Sequence, residues 1–274
     1  MIKLIAADID GTLIPLGKRM SERTRRAIIN CVNRGVIFVP ASGRTFEGAI
    51  RPFKDMGIDC PVISANGGRV DAHVFESPVF EDTIDEATAT RVCERLIKAG
   101  CFMTSYVGTK VYTLPETNGF GSSCASVSEA SGTSGFDIEA EMQTMRTLGT
   151  QRPYKFEAYS DDTALLDKLR SEFSAEGLGV AGAFSFNVEI MAHGAGKGRA
   201  LGKLMELMHI SKEEVLALGD GANDLSLLSA AGLSVAMENG AESLKSAADI
   251  IAPDASLDGA AQIIEKYVLS ESNR

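Results

Sequence analysis

Short apolar runs alternate with amphipathic segments in the first third of the chain. Ile2–Ala7, Val36–Ala41 and Pro61–Ser64 are such runs, and each predicts a buried parallel strand. Apolar residues recur at helical spacing over Ser21–Gly35, where the serine is a predicted N-cap, and again over Thr45–Lys54. This order of strands and helices predicts an α/β fold with a doubly wound, Rossmann-like parallel sheet as its core.

The same alternation returns in the last third of the chain. An amphipathic helix precedes a fully apolar strand, and shorter strands and helices follow it. The predicted elements are, in order, helix Gly198–His209, strand Val215–Leu218, helix Asp224–Ala231, strand Leu233–Met237, helix Glu242–Ala248, strand Ile250–Ile251 and helix Asp258–Leu269.

The middle of the chain has a different texture, with paired short strands and a polar stretch. Pro115–Phe136 is dominated by Gly, Ser, Thr and Asn, which predicts a long loop. We therefore predict a core domain of residues 1–82 and 191–274 and an inserted mixed α/β domain of residues 83–190. The predicted elements of the insertion are helix Asp85–Ala99, strands Phe102–Val107, Lys110–Leu114 and Tyr154–Tyr159, helix Asp162–Phe173 and strand Phe184–Met191.

The composition excludes several classes of protein but does not indicate a function. The chain has 274 residues, 45% of them hydrophobic and 23% charged, as in ordinary globular proteins. Its formal net charge is −10 and it has no basic block, which argues against binding nucleic acid. No apolar stretch is long enough for a membrane span, and five scattered cysteines without a Cys-x-x-Cys pair indicate free thiols. We expect a cytoplasmic protein; the sequence does not indicate its oligomeric state.

The first predicted strand ends in two carboxylates, Asp8 and Asp10, on the same side of the chain. Two such charges repel by roughly 4 kcal/mol at about 4 Å and an effective dielectric constant near 20. A bound cation, a lysine or a shared proton must offset this repulsion. By itself, however, Asp-x-Asp-Gly is more often a turn than a reactive site.

Three further polar clusters follow strand ends or begin a helix: Ser42, Lys197, and the group Asp220, Asn223 and Asp224. In a doubly wound sheet, ligands bind beyond the carboxyl ends of the strands, where these clusters meet. Each cluster also has a purely structural interpretation. Ser42 could cap the helix near Thr45, Lys197 could be a solvated side chain in a glycine-rich loop, and Asp224 could be a helix-start acid.

Taken together and in this order, the clusters closely resemble the four motifs of the haloacid-dehalogenase superfamily. Asp8–Leu13 matches the first motif, Ser42-Gly43-Arg44 the second, Lys197-Gly198 the third and Gly219–Asp224 the fourth. The insertion between the second and third motifs resembles the large α/β cap of the Cof-type subfamily. The sequence around Asn66-Gly67 resembles that subfamily as well.

The resemblance implies a mechanism that the residue types can support. Asp8 would be the nucleophile, forming an aspartyl-phosphate, and Asp10 the general acid and base. Ser42 and Lys197 would bind the phosphoryl oxygens and complete the catalytic set. One Mg²⁺ is expected on Asp8, on Asp220 and on the backbone carbonyl of Asp10, and the full set of candidate metal-binding residues is Asp8, Asp10, Asp220, Asn223 and Asp224.

The implied function is a Mg²⁺-dependent phosphatase acting on small phosphorylated metabolites, such as a sugar phosphate or a phosphorylated cofactor. Two alternatives stay open: a phosphotransferase or phosphomutase using the same aspartyl-phosphate, and a catalytically weak regulatory protein that binds sugar phosphates. Arg44 is expected near the substrate but could equally be a structural ion-pair partner. The candidate substrate-binding residues are Ser42, Gly43, Arg44, Asn66, Gly67, Lys197 and Asn223.

Overall fold

The computed structural model describes residues 1–72, 77–114, 152–182 and 185–270. The predicted loop Pro115–Phe136 lies outside these residues. The strands are β1 Leu4–Ala7, β2 Ile37–Pro40, β3 Val62–Ser64, β4 Arg69–Asp71, β5 Phe80–Glu81, β6 Phe102–Val107, β7 Lys110–Leu114, β8 Lys155–Tyr159, β9 Gly179–Ala181, β10 Asn187–Met191, β11 Val215–Gly219, β12 Leu233–Met237 and β13 Ile250–Ala252. The α-helices are α1 Glu22–Asn33, α2 Phe46–Lys54, α3 Glu86–Lys98, α4 Thr163–Ala175, α5 Lys197–Met208, α6 Leu225–Ser229, α7 Glu242–Lys245 and α8 Gly259–Ile264.

The chain divides into a core unit, residues 1–80 and 196–274, and an inserted unit, residues 81–195. The sequence prediction placed these boundaries after residue 82 and before residue 191. No helix in the described part of the chain combines the length and the apolar composition needed to cross a membrane.

The core unit is built on a parallel sheet of five strands in the order β13-β12-β11-β1-β2. β1 lies between β2 and β11, pairing Leu4 with Ile37 on one side and with Val215 on the other. The chain therefore winds outward from β1 in both directions, and the switch point lies between β1 and β11. The predicted α/β fold, with a parallel core sheet and an additional unit, is confirmed.

Alternate residues of the central strands supply two separate hydrophobic layers. Ile5, Phe38 and Leu218 face the layer that contains α1, α2 and α8. Leu4 and Ala217 face the opposite layer, which contains α5 and α6. Because both faces are covered, the strands read in sequence as continuous apolar runs, and this is why they could be identified without period-two alternation.

Side-chain caps begin the helices that follow the site strands. Ser21 Oγ accepts a hydrogen bond from the Thr24 amide, as its predicted N-cap role requires. Thr45 Oγ1 accepts one from the Gly48 amide and caps α2. Ser42 is therefore not the cap of that helix, and the structural alternative considered for it is wrong.

The third predicted parallel strand is only a short bridge to the core sheet. Ile63 of β3 forms an isolated parallel bridge with Ala41, the residue that follows β2, and β3 pairs antiparallel with β4. Between β3 and β4 the backbone takes positive φ values at Ala65, Asn66 and Gly67, of 49°, 55° and 95°. These residues reverse the chain, and the sequence pattern did not predict β4.

The inserted unit has an antiparallel sheet in the order β7-β6-β8-β10-β9. One face carries a hydrophobic core that includes Leu96 of α3, Phe173 of α4, and Phe156 and Ile190 of the sheet. Sequence alternation in β8 and β10 predicts this amphipathic arrangement. β9 is three residues long and has no hydrophobic pattern of its own, so it was not predicted.

The other face of this sheet buries a charged network centred on Lys155, whose side chain is fully buried. Lys155 Nζ donates hydrogen bonds to Glu157 Oε1 at 2.5 Å and to Glu189 Oε1 at 2.8 Å. The hydroxyl groups of Tyr106 and Tyr159 each donate to Glu157 Oε2 at 2.9 Å. Burial acts to raise the pKa of Glu157, but Lys155, together with hydrogen bonds to Glu189 and Tyr106, lowers it to about 2. Burial and the neighbouring Glu157 charge raise the pKa of Glu189 to about 7.

Glu189→Gln should stabilise the inserted unit at alkaline pH. The folded chain holds a proton on Glu189 that the unfolded chain, with a pKa near 4.5, releases, so wild-type stability falls as pH rises from about 4.5 to about 7. Glutamine is neutral throughout, and the pH-dependent loss, about 2 kcal/mol between pH 5.5 and 8.5, should disappear. Hydrogen exchange of β8 and β10 amides at both pH values measures this. Glu94→Gln, on the exposed surface of α3, is the matched control, and an equal response of both variants would refute the prediction.

Candidate active site

The carboxyl ends of neighbouring core strands bring the predicted site residues together. Asp8 and Asp10 follow β1, Ser42 follows β2 and Asp220 follows β11. These three strands are adjacent in the sheet, and the first residue of α5 is Lys197. The site therefore lies where the strand order reverses, as expected for ligand sites in sheets of this kind.

Lys197 is a fully buried cation that joins two acids. Its Nζ lies 2.6 Å from Asp8 Oδ1 and 2.6 Å from Asp224 Oδ1. Burial alone would lower the pKa of Lys197, but the charges of Asp224 and Asp8 outweigh it and raise the pKa above its usual value. The alternative of a solvated surface lysine is therefore wrong.

The start of α5 is fixed by close contact with α6. The Gly198 amide donates to Ser226 Oγ at 3.1 Å. A Cβ atom at Gly198 would lie 2.1 Å from the Ser226 carbonyl oxygen, so no larger residue fits without moving the helix. This contact explains the glycine that follows the lysine in the third motif, because it determines where the Lys197 side chain starts.

One carboxylate oxygen from each of Asp8, Asp220 and Asp224 lies within 4.8 Å of the other two. Thr12 Oγ1 donates to Asp220 Oδ1 at 2.8 Å and orients that side chain. Oxygen-rich, partly buried sites of this kind suit a hard cation such as Mg²⁺, so the residues present fit the metal that the resemblance implies. The Asp10 side chain does not belong to this cluster.

Asp224 is held by partners within the protein on both of its oxygens. Oδ1 contacts Lys197, and Oδ2 accepts hydrogen bonds from the amides of Asp220 and Gly221 at 3.1 and 3.0 Å. These bonds shape the turn after β11 and point Lys197 toward Asp8. The structure thus gives Asp224 a supporting part in the cluster; direct binding of a metal by Asp224 stays a prediction.

The cluster holds more negative than positive charge. Burial, together with the charges of Asp224 and Asp220, raises the pKa of Asp8 well above its usual range even though Lys197 acts to lower it. Burial likewise raises the pKa of Asp220 to about 6, with the charge of Asp224 contributing and the Thr12 hydrogen bond opposing. A second positive charge between these carboxylates would relieve the repulsion. The sequence analysis expected the repulsion between Asp8 and Asp10, but the acids close to Asp8 are Asp220 and Asp224, and the Asp10 side chain pairs with Arg44.

Asp10 turns its side chain to Arg44. Arg44 Nε donates to Asp10 Oδ2 at 2.7 Å, and its terminal nitrogen donates to Oδ1 at 2.5 Å. The Arg44 amide donates to Ser42 Oγ at 3.2 Å, which leaves the Ser42 hydroxyl proton available to another acceptor. Gly43 lies half-buried in the turn between Ser42 and Arg44.

Asn66, Gly67 and Asn223 form a second polar group on the core unit. Asn223 Nδ2 donates to Asn66 Oδ1 at 3.1 Å. Gly67, at φ 95°, lies against the start of α5, where a Cβ would come within 2.3 Å of the Gly196 carbonyl oxygen. These residues hold the loop after β3 beside Lys197; their contact with substrate stays a prediction.

Asn239 and Thr12 support the site but received no role from the sequence. Asn239 Nδ2 donates to the Gly11 carbonyl at 2.8 Å, while its Oδ1 accepts from the Ala255 amide at 2.9 Å. Gly11 has φ 81°, and a Cβ there would lie 2.2 Å from Asp220 Oδ2. Asn239 is 228 residues from Gly11, so no local pattern could have indicated this bond.

Comparison with known proteins agrees with the geometry of the site. The sequence pattern of the family described as haloacid dehalogenase-like hydrolase matches residues 5–264. The phosphatase YwpJ of Bacillus subtilis is 29% identical, over 91% of this chain and 94% of that protein. The pyridoxal phosphate phosphatase YbhA of Escherichia coli is 27% identical, over 97% of this chain and 99% of that protein.

Two solved structures share this fold. TM0651 from Thermotoga maritima superposes with a TM-score of 0.81 at 27% identity, covering 97% of each chain. A haloacid dehalogenase-like hydrolase from Bacteroides thetaiotaomicron gives a TM-score of 0.83 at 27% identity, covering 97% of this chain and 99% of that one. The predicted resemblance is confirmed, and the chain belongs to the haloacid dehalogenase-like hydrolases.

Proposed function

We propose that this phosphatase is a Mg²⁺-dependent phosphomonoesterase that uses Asp8 as nucleophile and forms an aspartyl-phosphate. One observation carries the proposal: Asp8 lies at the end of β1, bonded to a fully buried lysine at 2.6 Å and beside Asp220 and Asp224. Phosphoryl transfer depends chiefly on positioning and on stabilising negative charge. A carboxylate among a lysine and two further acids has the required combination of nucleophile and electrostatic support.

The reaction divides into two steps. A carboxylate oxygen of Asp8 attacks phosphorus, the bond from phosphorus to the ester oxygen breaks, and Asp10 gives its proton to the leaving oxygen. Water then attacks the aspartyl-phosphate while Asp10 takes up a proton, and inorganic phosphate leaves with the Asp8 carboxylate restored. Lys197 holds Asp8 in place throughout, and the Ser42 hydroxyl donates to a phosphoryl oxygen.

Mg²⁺ would be held by the carboxylates of Asp8 and Asp220 and by the backbone carbonyl of Asp10. When bound, it neutralises charge on the phosphoryl group and on the carboxylates. The chemistry of the donors supports this part of the proposal, because all are oxygen atoms, the kind of ligand that Mg²⁺ prefers. Asn223 donates a hydrogen bond to Asn66, and Asp224 accepts hydrogen bonds from the amides of its own turn, so both are proposed to act around the metal through these contacts.

The proposed substrates are phosphate monoesters of small metabolites. The names of two relatives support this class: YwpJ is a phosphatase, and YbhA is a pyridoxal phosphate phosphatase. A sugar phosphate or a phosphorylated cofactor therefore stays the proposed substrate type. The proposed location is the cytoplasm, which suits the free and buried thiols of Cys31, Cys60, Cys93 and Cys101.

Purified protein should release inorganic phosphate from several members of a broad panel of phosphomonoesters when Mg²⁺ is present. Chelation with EDTA should abolish release, and added Mg²⁺ should restore it, because the acids at Asp8 and Asp220 lose the charge that balances them. Product analysis in the presence of an acceptor alcohol distinguishes water from a second substrate as phosphoryl acceptor. Transfer to the acceptor without release of phosphate would favour a phosphotransferase, and no turnover on any panel member would favour a binding protein.

A further inference from the structure

Arg44 forms the most complete ion pair at the rim of the site. Its guanidinium faces Asp10 with two parallel hydrogen bonds, one to each carboxylate oxygen, at 2.7 and 2.5 Å. We propose that Arg44 is a positioning residue that aims the Asp10 carboxylate for proton uptake from the attacking water, an inference that rests on the proposed function.

Arg44 is anchored independently of Asp10. Its amide donates to Ser42 Oγ, its carbonyl accepts from the Ala65 amide at 2.8 Å, and its second terminal nitrogen donates to the Gly48 carbonyl at 3.2 Å. The aliphatic part of the Arg44 side chain lies close to Gly48: a Cβ atom added to this glycine would be 3.4 Å from Arg44 Cβ. Arg44 is therefore a fixed point of the loop that follows β2, and it can orient a more exposed neighbour.

Asp10 is that neighbour. Its side chain is 44% exposed, compared with 26% for Arg44. Within the described part of the chain, the hydrogen bonds found for its carboxylate both come from Arg44. A free aspartate at this exposure would sample several rotamers, whereas a two-point contact with a planar guanidinium fixes both the direction and the plane of the carboxylate.

The pair suits the second chemical step better than the first. In the second step the carboxylate oxygens held by Arg44 are the atoms that take the proton from the attacking water, whereas a good leaving group departs in the first step without a proton. A well-placed general base contributes about 10²–10⁴ to a rate. Loss of Arg44 should therefore slow hydrolysis of the aspartyl-phosphate more than its formation.

A rival role for Arg44 is direct binding of substrate, as the resemblance to related sequences implies. The two roles differ in which kinetic constant responds. A substrate-binding arginine chiefly raises KM when removed, whereas a positioning arginine lowers kcat and acts only through Asp10.

Rapid-quench kinetics with p-nitrophenyl phosphate separates the steps, because p-nitrophenolate is a good leaving group and needs no proton. For Arg44→Gln we expect an unchanged burst of p-nitrophenol, a steady-state rate at least about tenfold lower, a KM that falls in the same proportion so that kcat/KM is unchanged, and more trapped phosphate on Asp8. Arg44→Lys retains the charge without the planar fork and should recover only part of the rate. Arg51→Gln, on the exposed side of α2, should match wild type in both kcat and KM.

A double-mutant cycle completes the test. In an Asp10→Asn background, Arg44→Gln should have no further effect, because the group it positions is gone. A raised KM with unchanged kcat, or a full additional loss in the double variant, would overturn the inference. Absence of any phosphate trapped on Asp8 in wild type and Asp10→Asn would refute the proposed function itself. Trapped phosphate that Arg44→Gln leaves unchanged, together with a wild-type rate, would refute only the role of Arg44.

Discussion

Asp8→Asn is expected to lower turnover by at least about a thousandfold, as losses of catalytic nucleophiles commonly do. The amide is nearly the same size as the carboxylate and keeps an oxygen that can accept from Lys197, so the fold should persist. It cannot, however, form an acyl phosphate with the protein. Two measurements test this directly: kcat, and the amount of acyl phosphate on the protein. Borohydride reduces an acyl phosphate at Asp8 and leaves homoserine at that position.

Asp55→Asn is a matched control for this substitution. Asp55 is exposed at the C-terminal end of α2 and should tolerate the same change without loss of rate. Circular dichroism and thermal unfolding of both variants should resemble wild type. Retention of more than about a tenth of the wild-type rate in Asp8→Asn would contradict the role of Asp8, because removing a nucleophile leaves far less.

Lys197→Met is expected to abolish turnover and, without added Mg²⁺, to cost about 3–5 kcal/mol of unfolding free energy. The ammonium group is fully buried between Asp8 and Asp224, and methionine fills similar space without charge. Three neighbouring acids would then lack a protein cation. Urea unfolding with EDTA, repeated with Mg²⁺, measures the loss and the part that the metal recovers.

The pH dependence gives a second measure of Lys197→Met. Burial already raises the pKa of Asp8 and of Asp220, and loss of the lysine should raise both further. The folded variant then binds protons that its unfolded chain releases, so its stability should fall more steeply than wild type as pH rises from about 5 to about 8. Lys203→Met, exposed on the same helix and paired with Glu206 at its surface, should change stability by less than about 0.5 kcal/mol. Equal losses in the two variants would show that the buried charge pair is unimportant.

The sequence predicted those strands and helices whose local residue pattern directly reflects how they pack in the fold. β1, β2 and β11 are buried on both faces, so their apolar runs identify them directly. The N-cap of α1 was predicted at Ser21, because its side chain makes a short-range bond to the amide three residues ahead. β4 and β9 were missed since they are three residues long and depend on neighbouring strands.

At the site, residue types could be predicted but not their partners. The motifs indicated that the acids Asp8 and Asp220 and the basic residue Lys197 lie in one site. It did not predict that Arg44 would pair with Asp10, because an arginine in that turn could equally have reached a substrate. Asn239 was left without a role for a related reason: its two bonds join backbone groups of distant loops, and a backbone carbonyl has no signature in sequence.

The position of β1 between β2 and β11 has a consequence for biosynthesis. β1 is translated before β11, and Val215, the partner of Leu4, follows it by roughly two hundred residues. The inserted unit, by contrast, is a continuous stretch of chain and can close its own sheet in the meantime. Lys197 and Asp220, the partners of Asp8, are also translated late. During that interval a nascent chain carries Asp8 without Lys197 and Asp220, the residues that surround it in the folded protein.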